Sequence, residues 1–218
     1  MSVSHHLDDA TLLRYASGDL DEAFAVVVAS HIAMCGRCRQ AVRMAEEIGG
    51  HLLERNEPAE LSVGAVDRVM RMLDGAGETI RRTEPLPAGD SDVPLPLRRF
   101  IGPALEEVGW RFVAPGVRKH TIRLPSENAS SLYMLKIAAG TAVPEHGHGG
   151  EEMTLILSGA YRDELGRFGP GDVADLDEHV EHQPQVEPGA PCICLVATEA
   201  PTRFKGFFSR LLQPLVGI

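Results

Sequence analysis

Through the first third of the chain, apolar residues recur at spacings of three and four, which predicts a run of short helices. Residues 7–17 (LDDATLLRYAS) read as the first, with Asp8 or Asp9 able to cap its start and Gly18 to stop it; Leu12, Leu13 and Tyr15 are its apolar positions. A second begins near Asp21 and runs through DEAFAVVVASHIAMC, placing Phe24, Val27, Val28 and His31 on one face. A third is expected from about Gly36 to Leu53, with Val42, Met44, Ile48 and Leu52 apolar. The fourth, from Ser62 to Leu73, carries Val63, Val66, Met70 and Leu73 on one stripe. That stripe reads either as core within the helical part or as a face offered to a partner helix or groove.

Periodicity disappears over residues 76–96, where Pro85, Pro87, Pro94, Pro96 and several glycines gather. This predicts a linker that lets the two flanking parts move relative to each other. From Trp110 onward, short alternating segments such as SLYMLKIAAG, EEMTLILSGAY and CICLVATE are separated by Gly/Pro signals, as in an antiparallel β-sandwich or barrel. The tail RFKGFFSRLLQPLVGI, with Phe207, Phe208, Leu211 and Leu212, is expected to cover an edge or mouth of that barrel. The division is therefore a helical domain over 1–75, a linker over 76–96 and a β domain over 97–218.

The helical part also holds the chain's first chemical signal, His31-Ile-Ala-Met-Cys35-Gly-Arg-Cys38. On a helix, residues i and i+4 lie on one face, so His31 and Cys35 can point at one atom, and Cys38 can turn back to it after Gly36. Two thiolates and an imidazole are three of the four ligands of tetrahedral zinc. His6 is the fourth candidate, with His5 beside it as the substitute. Four short helices make a marginal core, and domains of that size often depend on a metal staple. A closed Cys2His2 set points to a structural site, not a hydrolytic one.

Charge and cysteine usage narrow the function classes. The net charge is −10, divided as 9 basic and 14 acidic residues over 1–85 and 12 and 17 over 86–218. No basic patch is visible, which disfavours direct nucleic-acid binding and favours a basic protein partner. The four cysteines form two close pairs, Cys35/Cys38 and Cys192/Cys194. With no signal peptide and no long apolar run, the chain reads as cytoplasmic and not membrane-bound, and such pairs point to metal or redox chemistry.

A second constellation lies in the β part. His146 and His148 follow Gly140, Glu152 comes four positions after His148, and Gly159 follows; Pro170-Gly171-Asp172 and then His182 come later. This series is similar to the two sequence motifs of the cupin superfamily. The resemblance implies a jelly-roll barrel with a metal centre of His146, His148, Glu152 and His182. Three histidines and a carboxylate suit Zn, Fe, Mn or Ni. His51, His120 and His179 read as surface or capping residues, His179 being the one substitute for His182. Cys192 and Cys194 share one face of a predicted strand, as small core residues or as a redox pair near the metal.

Taken together, the two halves resemble the ChrR-type zinc anti-sigma factors, through His6, His31, Cys35 and Cys38 in the first and His146, His148, Glu152, His182 and the Cys192-x-Cys194 pair in the second. The implied fold class is multi-domain α plus β, a small zinc-stapled helical domain followed by an antiparallel β jelly-roll (cupin) domain. The implied function is sequestration of a sigma factor of the extracytoplasmic-function type, blocking its access to RNA polymerase. On this reading the cupin is needed for release under singlet oxygen or a related oxidant and not for the grip itself. The implied cofactors are Zn in the helical domain and Zn or another divalent metal in the cupin. The rival reading is a metal-dependent cupin enzyme, dioxygenase-like, with a helical regulatory module; a third is a DNA-binding zinc module with a ligand-sensing cupin.

Overall fold

The structure, a computed structural model, describes residues 3–75, 91–126 and 130–204. Helix α1 (Asp9–Ser17) is opened by Asp8, whose carboxylate accepts the Thr11 N–H at 2.6 Å, and closed by Gly18 in the left-handed region at φ 76°. Helix α2 (Glu22–Met34) is capped by Asp21. It is apolar nearly all round, and Ala23, Phe24, Val26, Val27 and Val28 are all buried, as befits a central element. Helix α3 (Gly36–Glu54) starts at Cys35, whose sulfur accepts the Cys38 N–H at 3.5 Å.

The apolar positions of the next helices divide unexpectedly. On α3 only Cys38 and Val42 are buried, while Met44, Ile48 and Leu52 are exposed. On α4 (Ala65–Gly75), Val66, Val69, Met70 and Leu73 are all more than half exposed. The fourth stripe is thus a presented face and not core. Helix α5 (Leu95–Ile101) lies on α2 and buries Leu97 completely, with Val93 just before it. Residues 76–90, the greater part of the expected linker, and residues 205–218 of the tail lie outside the described residues.

Among the described residues twelve strands follow. The main sheet has the order β1-β2-β3-β11-β5-β8, antiparallel throughout, from β1 (Arg111–Ala114), β2 (Val117–Ile122), β3 (Ser131–Ile137), β5 (Glu152–Ser158), β8 (Val173–Leu176) and β11 (Cys192–Thr198). One small sheet orders β10 (Gln185–Val186), β6 (Tyr161–Asp163) and β7 (Gly166–Phe168); another orders β12 (Arg203–Phe204), β4 (His146–Gly147) and β9 (Glu181–His182).

Strand alternation gives the main sheet two different faces. On β11, Ile193, Leu195 and Ala197 join a core that includes Leu12, Val27 and Val28 of the helices. Cys192, Cys194 and Val196 face the other way, into the interior of the β part with Tyr161, Phe168 and Val186. Helix α2 packs across β11, β5 and β3, so helices and sheet close over one shared core. Each fully buried Val or Leu there contributes about 1.5–3 kcal/mol. Polar contacts ring this junction. Thr11 Oγ1 donates to Asp175 at 3.0 Å, and Arg14 donates to both oxygens of Glu151 at 3.1 and 3.0 Å.

Candidate metal centres

The first cluster gathers side chains from four points along the backbone. His6 comes from the extended segment before α1, His31 from the last turn of α2, Cys35 from the α2–α3 joint and Cys38 from the first turn of α3. One ligand atom from each lies within 4.8 Å of all the others. His6 Nδ1 stands 3.3 Å from Cys35 Sγ and 3.6 Å from Cys38 Sγ. A tetrahedral zinc with ordinary Zn–S and Zn–N bonds has S···N edges of about 3.6 Å. The donor set and its spacing therefore fit zinc.

The tautomer of His31 agrees. Its Nδ1 donates to the Gly171 carbonyl at 2.9 Å, which leaves the Nε2 lone pair as the free donor. That Nε2 is buried with no hydrogen-bond partner. Burial, opposed by the Gly171 bond, pushes the His31 pKa down to about 4, so the ring is neutral, as a ligand must be. Burial and the neighbouring Cys35 raise the Cys38 thiol to about 11, a cost that a bound cation removes. His5 takes a different place, stacked on Phe168 with ring centroids 4.0 Å apart.

The surroundings of this cluster come from the β part. Asp172 Oδ1 accepts the N–H groups of Ser4 at 2.6 Å and His5 at 2.9 Å, and Oδ2 accepts that of Gly169 at 2.9 Å. Burial acts to raise the Asp172 pKa, but these three N–H bonds outweigh it and hold the carboxyl below its ordinary range. Gly171, at φ 90°, has no room for a side chain, since a Cβ would come within 2.9 Å of Val3 Cγ2. Turn 169–172 therefore fixes both the His6 segment and the His31 ring. Sequence reasoning placed this turn only in the second motif; a contact across 140 positions leaves no local signature.

The second cluster comprises His146, His148 and His182, all buried, with ligand atoms mutually within 4.8 Å. His146 on β4 pairs directly with His182 on β9. The Nδ1 of His146 donates to the Pro144 carbonyl and that of His182 to Asp163, both at 2.8 Å. With both protons on Nδ1, the two Nε2 lone pairs confront each other at 3.1 Å, an arrangement that calls for a cation. His148 is buried as well, and its Nε2 has no hydrogen bond. Glu152 stands beside this trio, its carboxylate 3.3 Å from His148 Nδ1. Burial works to raise the Glu152 pKa, yet the three imidazoles outweigh it. Burial lowers His146 to about 4. These residues fit a divalent ion, which would supply Lewis acidity at the cluster. His51 and His179 have exposed side chains, and His120 donates to the Gly109 carbonyl.

A family model described as ChrR Cupin-like domain matches residues 101–201. Over all 218 residues, and the whole of the relative, the chain is 44% identical to the Anti-sigma-E factor ChrR of Cereibacter sphaeroides. The chain belongs to the ChrR family. Its structure is also similar to that of ChrR in the crystal structure of Rhodobacter sphaeroides SigE in complex with the anti-sigma ChrR, with a TM-score of 0.78 and 41% identity, covering 90% of this chain and 99% of that one. The match spans both halves, so the helical region and the cupin-like β region are the arrangement of this ChrR relative too.

In this ChrR family member, Cys192 and Cys194 both line a cavity inside the cupin-like half, against the second cluster. Both thiols are free and buried. Burial pushes Cys192 up to about 12 and Cys194 well above the usual thiol range. Among the described residues no helix is long and apolar enough to cross a membrane.

Proposed function

We propose that this chain is an anti-sigma factor that binds a sigma factor of the extracytoplasmic-function type through its helical half. The observation that carries the reading is the apolar face left uncovered on α3 and α4, namely Met44, Ile48 and Leu52 on the first and Val66, Met70 and Leu73 on the second. Apolar surface of this extent on consecutive helices of the chain marks a binding site for a protein partner. The 41%-identical ChrR was crystallised with SigE, which supports a sigma factor as that partner. The acidic balance of residues 1–85 suits the basic faces of a DNA-binding protein. The chain itself acts in the cytoplasm and does not contact nucleic acid.

The two clusters have separate tasks in this reading. Zinc on His6, His31, Cys35 and Cys38 holds the α2–α3 joint and so aims the α3 face. The cupin-like half, with Zn or another divalent ion on His146, His148, His182 and Glu152, responds to oxidative stress, singlet oxygen in particular. Turn 169–172 is the route by which a change there reaches the first cluster, because it holds the His6 segment and the His31 ring together. To reverse a bound-to-free ratio from 99:1 to 1:99, the two states must differ in sigma affinity by about 5.5 kcal/mol.

The test is capture of sigma factors from the native host on full-length tagged protein under reducing conditions. A stoichiometric sigma factor, lost when Met70 and Leu73 are changed to Glu, is expected. Folded, zinc-loaded protein that retains no sigma factor sinks the proposal.

A further inference from the structure

On the side of the main sheet that carries the helices, one row of side chains runs out from under them. Phe112, Arg118, Lys136 and Ile193 are successive cross-strand partners on β1, β2, β3 and β11, so they share one face. Ile193 lies in the core shared with α2, but Lys136 is only half-buried, Arg118 is exposed and Phe112 is 73% exposed. A groove of about 390 Å³ lies along this row and over Ala114, Ala138 and Pro191. Cys192, Cys194 and the interior of the cupin-like half are on the other face of the sheet.

The charges in the row are set against each other. Arg118 and Lys136 stand directly opposite on antiparallel strands, where like charges are destabilising. Elsewhere the chain gives its cations carboxylates: Arg14 pairs with Glu151, Arg99 with Glu22, and Arg162 and Arg167 with Glu187. Among the described residues neither Arg118 nor Lys136 has such a carboxylate. Lys136 has instead the indole of Trp110, with Nζ 5.8 Å from the ring centroid. In a chain of net charge −10, two opposed cations without a counter-ion, beside an exposed phenyl ring, call for a negative group from outside.

We propose that this groove binds an amphipathic organic carboxylate, its oxygens between Arg118 and Lys136 and its flat apolar body against Phe112 and Pro191. The Arg118 guanidinium offers paired N–H donors that match a carboxylate, and Lys136 adds a point charge. The exposed Phe112 ring favours an aromatic body, which can stack on it. The groove volume lies toward the lower end of the range for small-molecule sites, which suits a body of about ten carbon atoms. The site uses no residue of either metal centre and does not rest on the anti-sigma reading. Its occupant lies on the same sheet face as α2, since the row continues through Ile193 into the core beneath that helix.

Equilibrium dialysis of full-length, metal-loaded protein against 2-naphthoate tests it, with 2-naphthylmethanol as the neutral counterpart. Saturable one-to-one binding of the carboxylate is expected, about tenfold tighter than any binding of the alcohol, the equivalent of about 1.4 kcal/mol. Raising the salt concentration should weaken it, because both cations are near solvent. Arg118→Gln with Lys136→Gln should abolish binding, and Phe112→Ala should weaken it about fivefold. Without the probe, the double variant should melt no lower than the parent, since it removes a like-charge pair. That separates loss of the site from loss of the fold, and Arg118→Gln alone, at an exposed position, carries the same test should the double variant melt early. No saturable binding of 2-naphthoate to folded protein, equal binding of the alcohol, or parent-like affinity in the folded double variant overturns the proposal.

Discussion

The two candidate metal centres share buried histidines but differ in their other ligands, and they are held in opposite ways. In the second, the outer partners are local: His146 leans on the Pro144 carbonyl two positions away, and His182 on Asp163 nineteen positions away. In the first, His31 leans on Gly171 from 140 positions away, and the backbone before His6 hangs from Asp172. The second centre is a fixture of one small sheet and its neighbours. The first is a joint between the halves, since a metal there ties α2, α3 and the amino-terminal segment to a turn of the cupin-like part. Losing the metal should therefore have different consequences at the two places.

The largest effect is expected from Cys35→Ser combined with Cys38→Ser. Both thiols are 2% exposed, and structural zinc sites contribute on the order of 10 kcal/mol to the folding of small domains. The double variant should lose one zinc per chain and the ordered α2–α3 joint, seen as lost helical ellipticity and rapid proteolysis within residues 3–54. Unchanged metal content and an unchanged melting curve would contradict the joint.

Asp172→Ala probes the same joint from the other half. It removes the acceptor of three backbone N–H groups, at a cost of about 3 kcal/mol. For a chain of this size that lowers Tm by roughly 6–12 °C. The decisive readout is zinc release from the first centre to a chromophoric chelator, which should accelerate although the substituted residue is no ligand. A variant that melts early yet releases zinc at the original rate would make Asp172 a stabilising residue of the turn and nothing more.

This long-range hold also marks where sequence reasoning stops. Local devices were legible, such as the Asp8 cap, the Gly18 stop, the α2 stripe and the H-x3-C-x2-C run, because each depends on residues within one or two turns. His146, His148 and His182 were legible through the resemblance to the two cupin motifs, with period two bringing His146 and His148 near each other. The choice of His6 over His5 was not. It is decided by Phe168, which draws His5 into a stack from 163 positions away. Nor was the exposure of Met44, Ile48 and Leu52, since a hydrophobic stripe reads alike whether its cover is the chain's own core or another molecule.

At the second centre, His182→Gln retains an N–H donor toward the buried Asp163 while withdrawing the imidazole. The fold should lose only about 1 kcal/mol, since the core of β3, β5 and β11 does not pass through this residue. Metal analysis should show the second ion lost and the first retained. Loss of both ions would mean that the centres stand or fall together, against the contrast drawn between them.

The smallest change in stability, and the sharpest functional one, is expected on α4. Met70 and Leu73 are 54% and 63% exposed, so Met70→Glu with Leu73→Glu removes little burial from the free chain and should alter its stability by no more than about 0.5 kcal/mol. Against a partner the same substitutions place two carboxylates in an apolar contact. If each position contributes about 2 kcal/mol, as central interface residues do, sigma affinity falls roughly a thousandfold. An unchanged Tm with sigma binding lost would separate the helices that build the molecule, such as α2, from the one it presents. A Tm that drops by many degrees would instead place α4 in the core of the free chain.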